Sequence, residues 1–252
     1  MKKNESVIEK EKIVVVMSVT GKTGKTTVFN DLIGPRMPTA KKFRLETINL
    51  SGRSDGEVMQ LKGKDFIKLQ NELSKTNSAI VDVGASNVES FLLAMTQQPG
   101  SHESYDAFII PVEATAAKHD AIDEFIKTVT ILHHLGVESE RVKVVFNKLA
   151  VDAELEYEVR KIIKFHEMEN WFTLDLRAKI HESPAFAAVS EVGRTFSSML
   201  NDKTDYRQEF KNTAVENQER RLELTKLMRA QSAVKPVAKE FDIVFDALFG
   251  TE

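Results

Sequence analysis

Eight residues, Thr20-Gly21-Lys22-Thr23-Gly24-Lys25-Thr26-Thr27, constrain this chain more than any other stretch. They follow Ile13-Val14-Val15-Val16-Met17, an uninterrupted apolar run of the kind that forms a strand buried on both faces. After them Val28, Phe29, Leu32 and Ile33 share one face of a helix, which Gly34-Pro35 is expected to stop. A strand, a glycine-bearing loop and a helix together make an anion site. Gly21 and Gly24 let backbone N–H groups turn inward without a Cβ clash. The helix beginning near Lys25 aims its first amides and its dipole at the same point. Lys25 is then placed to reach β and γ phosphates, the Thr26 hydroxyl to ligate Mg²⁺, and Thr27 to bond the α-phosphate. A standard loop of this type has Gly six residues before its Lys, where this chain has Val19. The plain alternative is a tight strand-to-helix turn that contains Gly-Lys-Thr.

The rest of the chain keeps the same rhythm. Strands are expected at 44–50, 79–83, 107–112, 142–146 and 171–174. Between them lie helix-spaced sets: Phe66, Leu69 and Leu73; Phe91, Leu92 and Met95; Ile122 through Leu132, ending at Gly136; and Leu155, Val159, Ile162 and Ile163. This alternation predicts an α/β fold, a mostly parallel sheet with helices on both faces. Ligands in such sheets bind beyond the carboxyl ends of the strands. The expected organisation is one domain over 1–252 with a helical excursion near 201–232 and a packing helix near 236–249. The excursion has seven basic and six acidic residues and no Gly or Pro, and reads as a mostly solvated helix or helix pair.

Composition narrows the function classes. With 35 basic and 38 acidic residues the net charge is −3, too balanced for a basic nucleic-acid coat. There is no Cys, hence no disulfide framework and no thiolate chemistry. The apolar runs fall short of the roughly 20 residues of a membrane span, so no integral membrane segment and a cytoplasmic location are expected. The six His show no metal-ligand spacing; His133-His134 sit where a helix dipole favours them, and Trp171 reads as a packed strand residue.

Gly24-Lys25-Thr26-Thr27 after a buried first strand resembles the P-loop of the ParA/MinD family of deviant Walker ATPases, which position plasmids and other cargo. Ala79-Ile80-Val81-Asp82-Val83-Gly84 is similar to that family's Walker B strand, which implies that Asp82 holds a Mg²⁺-bound water. Ile110-Pro111-Val112 before a long helix, and His181-Glu182-Ser183-Pro184-Ala185-Phe186 late in the chain, are similar to further family segments. Val145-Phe146-Asn147-Lys148 is similar to the strand whose Asn reads the purine, which implies such a role for Asn147. Within the family the chain is most similar to plasmid-stability and conjugation ATPases of the StbB or TraL type. The resemblance implies Mg-ATP bound by residues 20–27, with Lys25 and Lys22 as catalytic lysines. It further implies a nucleotide-dependent homodimer, and cargo reached through a DNA-binding adaptor or DNA directly.

Three departures qualify the implied activity. Thr20 stands where the family has the Lys that reaches across the dimer, so either Lys22 supplies that contact or it is lost. Asn49 and Ser51 stand where the second strand should end in two carboxylates, with Asp55 nearby, so the acid that orients the attacking water is missing and hydrolysis should be slow or partner-dependent. A basic DNA-binding surface is also not evident. Asn147-Lys148-Leu149-Ala150 invites a GTPase reading, but Ala150 cannot pair with guanine and Asp152 is two residues late. A small-molecule kinase resembling dethiobiotin synthetase and a non-hydrolysing nucleotide-bound scaffold are the remaining alternatives.

Overall fold

The computed structural model describes residues 11–46 and 58–250. Seven strands form one sheet: β1 (Ile13–Met17), β2 (Lys41–Glu46), β3 (Val58–Lys62), β4 (Ala79–Val83), β5 (Ala107–Glu113), β6 (Val142–Leu149) and β7 (Lys179–His181). Their order is β3-β2-β4-β1-β5-β6-β7, and every pairing is parallel. β1 lies between β4 and β5, and its Val14 to Met17 are fully buried, as its unbroken apolar run requires. The chain lays β2, β3 and β4 on one side of β1 and then crosses to lay β5, β6 and β7 on the other, which makes the carboxyl end of β1 the switch point of the sheet.

Both faces are covered. The P-loop helix opens as α1 (Lys25–Thr27) and widens into a π-helical turn over Val28–Ile33. Gly34-Pro35 does not cut it short but tightens it into a last 3₁₀ turn, Gly34–Arg36. Then follow α2 (Phe66–Leu73), α3 (Val88–Gln97), α4 (His119–His134), α5 (Leu155–Glu158), α6 (Arg160–Glu169), α7 (Ala185–Glu191), α8 (Phe196–Asn201), α9 (Tyr206–Asn212) and α10 (Gln218–Phe249). On one face α2 to α6 pack Phe66, Phe91, Phe125 and Ile162 against Val15, Val81, Phe108 and Phe146. On the other the π-helical turn and α7 to α10 pack Phe29, Leu32, Val189 and Phe241 against Val14, Val16, Ile80 and Ile109. This is the α/β layering that the strand rhythm predicts.

Three further local expectations need correction. Trp171–Leu174 is not a strand: one bridge joins Thr173 to Lys143, and the last strand is Lys179–His181. Trp171 instead stacks on His133, ring centroids 4.1 Å apart, so the apolar run packs beside the sheet instead of extending it. The helix expected through Leu155 and Ile163 breaks at Val159 (φ −107°, ψ 17°) into α5 and α6. Finally, 218–249 is one helix of 32 residues, about 48 Å long, that runs through Pro236 without a break.

The excursion is therefore not a solvated arm ending where a second helix begins. Leu224, Leu227, Ala230 and Val234 continue the buried stripe of Val237, Phe241, Val244 and Leu248. Pro236 is tolerated because it and Ser232, whose carbonyl loses its partner, both face outward where water replaces the bond. α9 packs on α10, with Tyr206 buried and the Arg221 guanidinium 4.0 Å from the Phe210 ring. Among the described residues no helix is long and apolar enough to cross a membrane.

Candidate functional site

The loop after β1 sits at the switch point, and two cavities open on either side of it. One, of about 720 Å³, is lined by Gly24, Thr27, Asn147, Asp152, His181 and Phe186, among others. The other, of about 440 Å³, is lined by Lys25, Thr26, Glu46, Asp82, Gly84 and Ser86, with Ala85 between the last two. Together they form a groove across the carboxyl ends of β2, β4, β1, β6 and β7, where an open parallel sheet binds ligands.

Gly24 is the pivot. Its φ is +89°, and a Cβ there would fall 1.8 Å from Asn147 Nδ2. That nitrogen donates to the Thr23 carbonyl at 2.7 Å, a buried bond that ties the P-loop to the end of β6. Asn147 thus lines the larger cavity and also fixes the loop, a structural duty its motif position does not reveal. Gly21 meets nothing within 4 Å and has no left-handed φ. The space in front of it is open, so protein packing is not what calls for glycine there. Lys22 is exposed at φ 63°, a left-handed conformation in a residue with a Cβ. The Thr23 hydroxyl is buried with no hydrogen-bond partner among the described residues. Ser18 Oγ lies 3.4 Å from both the carbonyl and the hydroxyl of Thr20. Thr26 is exposed and Thr27 half-buried.

Lys25 Nζ donates to the Ser18 carbonyl at 3.4 Å, a long bond that it can exchange for a better acceptor. Burial pulls its ammonium below the ordinary lysine range, and Asp82 and Glu46 pull it back up. Asp82 is the next-to-last residue of β4, beside β1 in register with Val16, and is 5% exposed. Burial raises its carboxyl, while the charge and hydrogen bond of Arg44 and the charge of Lys25 oppose the rise. Arg44 Nε donates to Asp82 Oδ2 at 3.0 Å. Asp82 Oδ1 is buried and finds no donor among the described residues. A cation approaching from the Thr26 side would complete that oxygen, so the donors present fit a bound Mg²⁺.

Sequence reasoning misses Glu46. Asn49, Ser51 and Asp55 lie outside the described residues, and so does the end of the strand expected to reach Leu50. The described β2 pairs Arg44 with Asp82 and Leu45 with Val83, which brings Glu46 to the rim of the smaller cavity. A carboxylate is therefore present beside Lys25 and Thr26. The signal for it is the alternation Arg44-Leu45-Glu46 around one buried Leu, which reads as a strand only once its partner is known. On the other side Asp152 enters the larger cavity although its spacing from Asn147 is long. Lys148, at φ 55°, turns the chain toward it. His181 closes the far wall, its imidazole Nδ1 paired with Glu240 of α10 and its backbone N–H donating to Glu240 Oε2 at 3.1 Å. The segment 181–186 does line this cavity, after β7 instead of after residues 171–174.

No family profile matches the chain, and no curated protein sequence matches it. Among solved structures it is similar to ATP-bound McdA of Cyanothece (TM-score 0.47, 13% identity, 88% of this chain and 97% of that one). It is similar also to a plasmid partition protein of Borrelia burgdorferi bound to AMPPNP (TM-score 0.45, 13% identity, 86% and 98%). The MinC:MinD cell division complex of Aquifex aeolicus is a third (TM-score 0.45, 14% identity, 86% and 94%).

Proposed function

We propose that the chain is an ATP-binding positioning ATPase of the ParA/MinD type. One observation carries this reading. Lys25 and Thr26 at the start of the P-loop helix, and Asp82 at the end of the adjoining strand, face one cavity beside the β1 switch point. The triphosphate would lie along residues 20–27, with Lys25 at the β and γ phosphates and Thr27 toward the α-phosphate. Thr26 and Asp82 would hold Mg²⁺, which when bound supplies positive charge to the phosphate oxygens. Glu46 is the carboxylate in reach of a water at the cavity rim, and Lys22 projects from the exposed apex of the loop. The Thr20 position lacks the lysine that would reach across a dimer, which favours slow, partner-dependent turnover; the nucleotide-dependent homodimer itself rests on the resemblance to the family. Its cargo would be plasmid or conjugation machinery, reached through a DNA-binding adaptor or DNA itself.

Equilibrium binding of fluorescent ATP to wild type and Lys25→Ala tests the site, with size-exclusion chromatography in ATP and in ADP, each with and without DNA. Loss of binding in Lys25→Ala and an ATP-dependent dimer support the reading. Unchanged affinity in the variant overturns it. A GTP-binding reading also draws support from Asp152, since a carboxylate in the same cavity as Asn147 can accept from a guanine edge. Competition by ATP and GTP, with Asp152→Ala alongside, separates the two.

A further inference from the structure

Resting on this nucleotide reading, we propose that Arg44 is a built-in counter-cation of the phosphate cavity, so that nucleotide binding depends only weakly on a divalent metal. The strand register puts it there. β2 and β4 are parallel neighbours with Arg44 directly opposite Asp82, and alternation along each strand sends both side chains to the same face. The Phe29 ring, from the helical turn that covers this face, lies 5.3 Å from the guanidinium carbon. Arg44 is thus held between an aromatic ring and the Asp82 carboxylate, with only 15% of its side chain exposed. Its Nε is 3.0 Å from Asp82 Oδ2 and 3.8 Å from Glu46 Oε1, so one cation serves both carboxylates.

The charge balance follows directly. On the cavity wall Asp82 and Glu46 supply two negative charges and Lys25 one positive, and Arg44, behind the wall against both carboxylates, supplies the second, so the four groups balance before any ligand enters. Without Arg44 the same walls carry two negative charges against one positive. A polyphosphate entering that cavity would need a divalent cation beside it. With Arg44 present, one of the two Asp82 oxygens is already engaged. Guanidinium stays protonated throughout the working range of pH and is weakly hydrated, so it can hold this post in a nearly dry site. The alternative is that Arg44 only neutralises Asp82 until a metal displaces it, in which case nucleotide binding depends fully on the metal.

The test is equilibrium binding of fluorescent ATP to the full chain in Mg²⁺ and in EDTA, for wild type, Arg44→Met and Arg44→Lys, with folding checked by circular dichroism. Wild type is expected to lose less than about threefold in affinity when metal is removed, and Arg44→Met about thirtyfold or more. Arg44→Lys keeps the charge and is expected to stay near wild type. A wild-type loss beyond about tenfold in EDTA, or the same ratio in wild type and Arg44→Met, overturns the proposal. If Arg44→Met does not fold, the wild-type ratio and that of Arg44→Lys decide between the same outcomes. Binding only with Mg²⁺ overturns this proposal alone, whereas absence of binding in both buffers overturns the nucleotide reading and this one with it.

Discussion

The two flanks of the P-loop are held in different ways. Toward β6 the loop is fixed by shape: Gly24 in a left-handed conformation, Asn147 packed where a Cβ would be, and one buried hydrogen bond to Thr23. Toward β4 and β2 the groove is fixed by charge, with Asp82, Glu46, Arg44 and Lys25 compensating one another across a half-open cavity. Shape tolerates no extra atom and is indifferent to pH and salt. Charge tolerates shape changes but responds to protonation and to ions. A ligand that must be gripped by its base and released by chemistry at its phosphates would use such a division.

The sharpest way to break the first flank is Gly24→Ala. The new methyl would overlap Asn147, displace it from Thr23 and impose a left-handed φ on alanine. The expected loss is about 3 kcal/mol or more, combining backbone strain with an orphaned buried carbonyl. Urea denaturation measures it. A change under about 1 kcal/mol would show that Asn147 swings away freely, and that shape does not hold this flank.

A half-buried carboxylate with no compensating cation among the described residues sharpens the comparison from the other side. Asp31, on the π-helical turn behind the P-loop, is pushed up to about 7 by burial alone. Its folded value lies above its unfolded one near 3.8, so the stability it contributes is full below about pH 4 and is lost as pH rises toward 7. Asp31→Asn is expected to match wild type near pH 4 and to exceed it by about 2–4 kcal/mol at pH 8. Thermal unfolding from pH 4 to pH 8 checks this. Parallel curves for the two proteins would mean that the carboxyl is well solvated. Asp82, deeper than Asp31 but paired with Arg44, shows what a cation changes.

How much of this was legible depends on which device was in use. That Lys25, Thr26, Asp82 and Asn147 come to the groove follows from local residue order, because the phosphate cradle proposed for them needs its glycines, lysine and hydroxyls consecutive in sequence. β4 and β5 are legible for a related reason: a strand buried on both faces has no freedom to be polar. Arg44 and Glu46 are not legible as site residues, since their meaning comes from register with β4, which sets which of two alternating side chains faces the groove. The last strand is misplaced because Lys179–His181 is a short, half-polar edge strand, while the apolar run at 171–174 packs beside the sheet. Pro236 misleads similarly. A proline rule reads the lost backbone bond but not the exposure of Ser232 that makes the loss affordable.

A gentler probe of the shape-held flank is Thr23→Val. Its hydroxyl is buried without a partner among the described residues, and valine has nearly the same outline. The substitution is expected to stabilise the fold by about 1 kcal/mol, as removal of an unsatisfied buried polar group does. Destabilisation in urea would mean that the hydroxyl is bonded in solution.

Lys22→Gly has the smallest expected effect on the fold and the clearest sign split. Glycine adopts φ 63° without the strain that a side chain brings, and part of that gain is offset by greater freedom in the unfolded chain. A net stabilisation of about 0.5–1 kcal/mol is expected for the protein without nucleotide. Strain of this kind persists where a side chain is wanted at a particular place. If Lys22 faces phosphate or a second copy of the chain, the same variant should bind ATP more weakly or lose its ATP-dependent dimer while its fold grows firmer. If stability rises and nucleotide affinity and size distribution stay unchanged, Lys22 is strained without purpose at the phosphates, and the charge-held flank ends at Lys25.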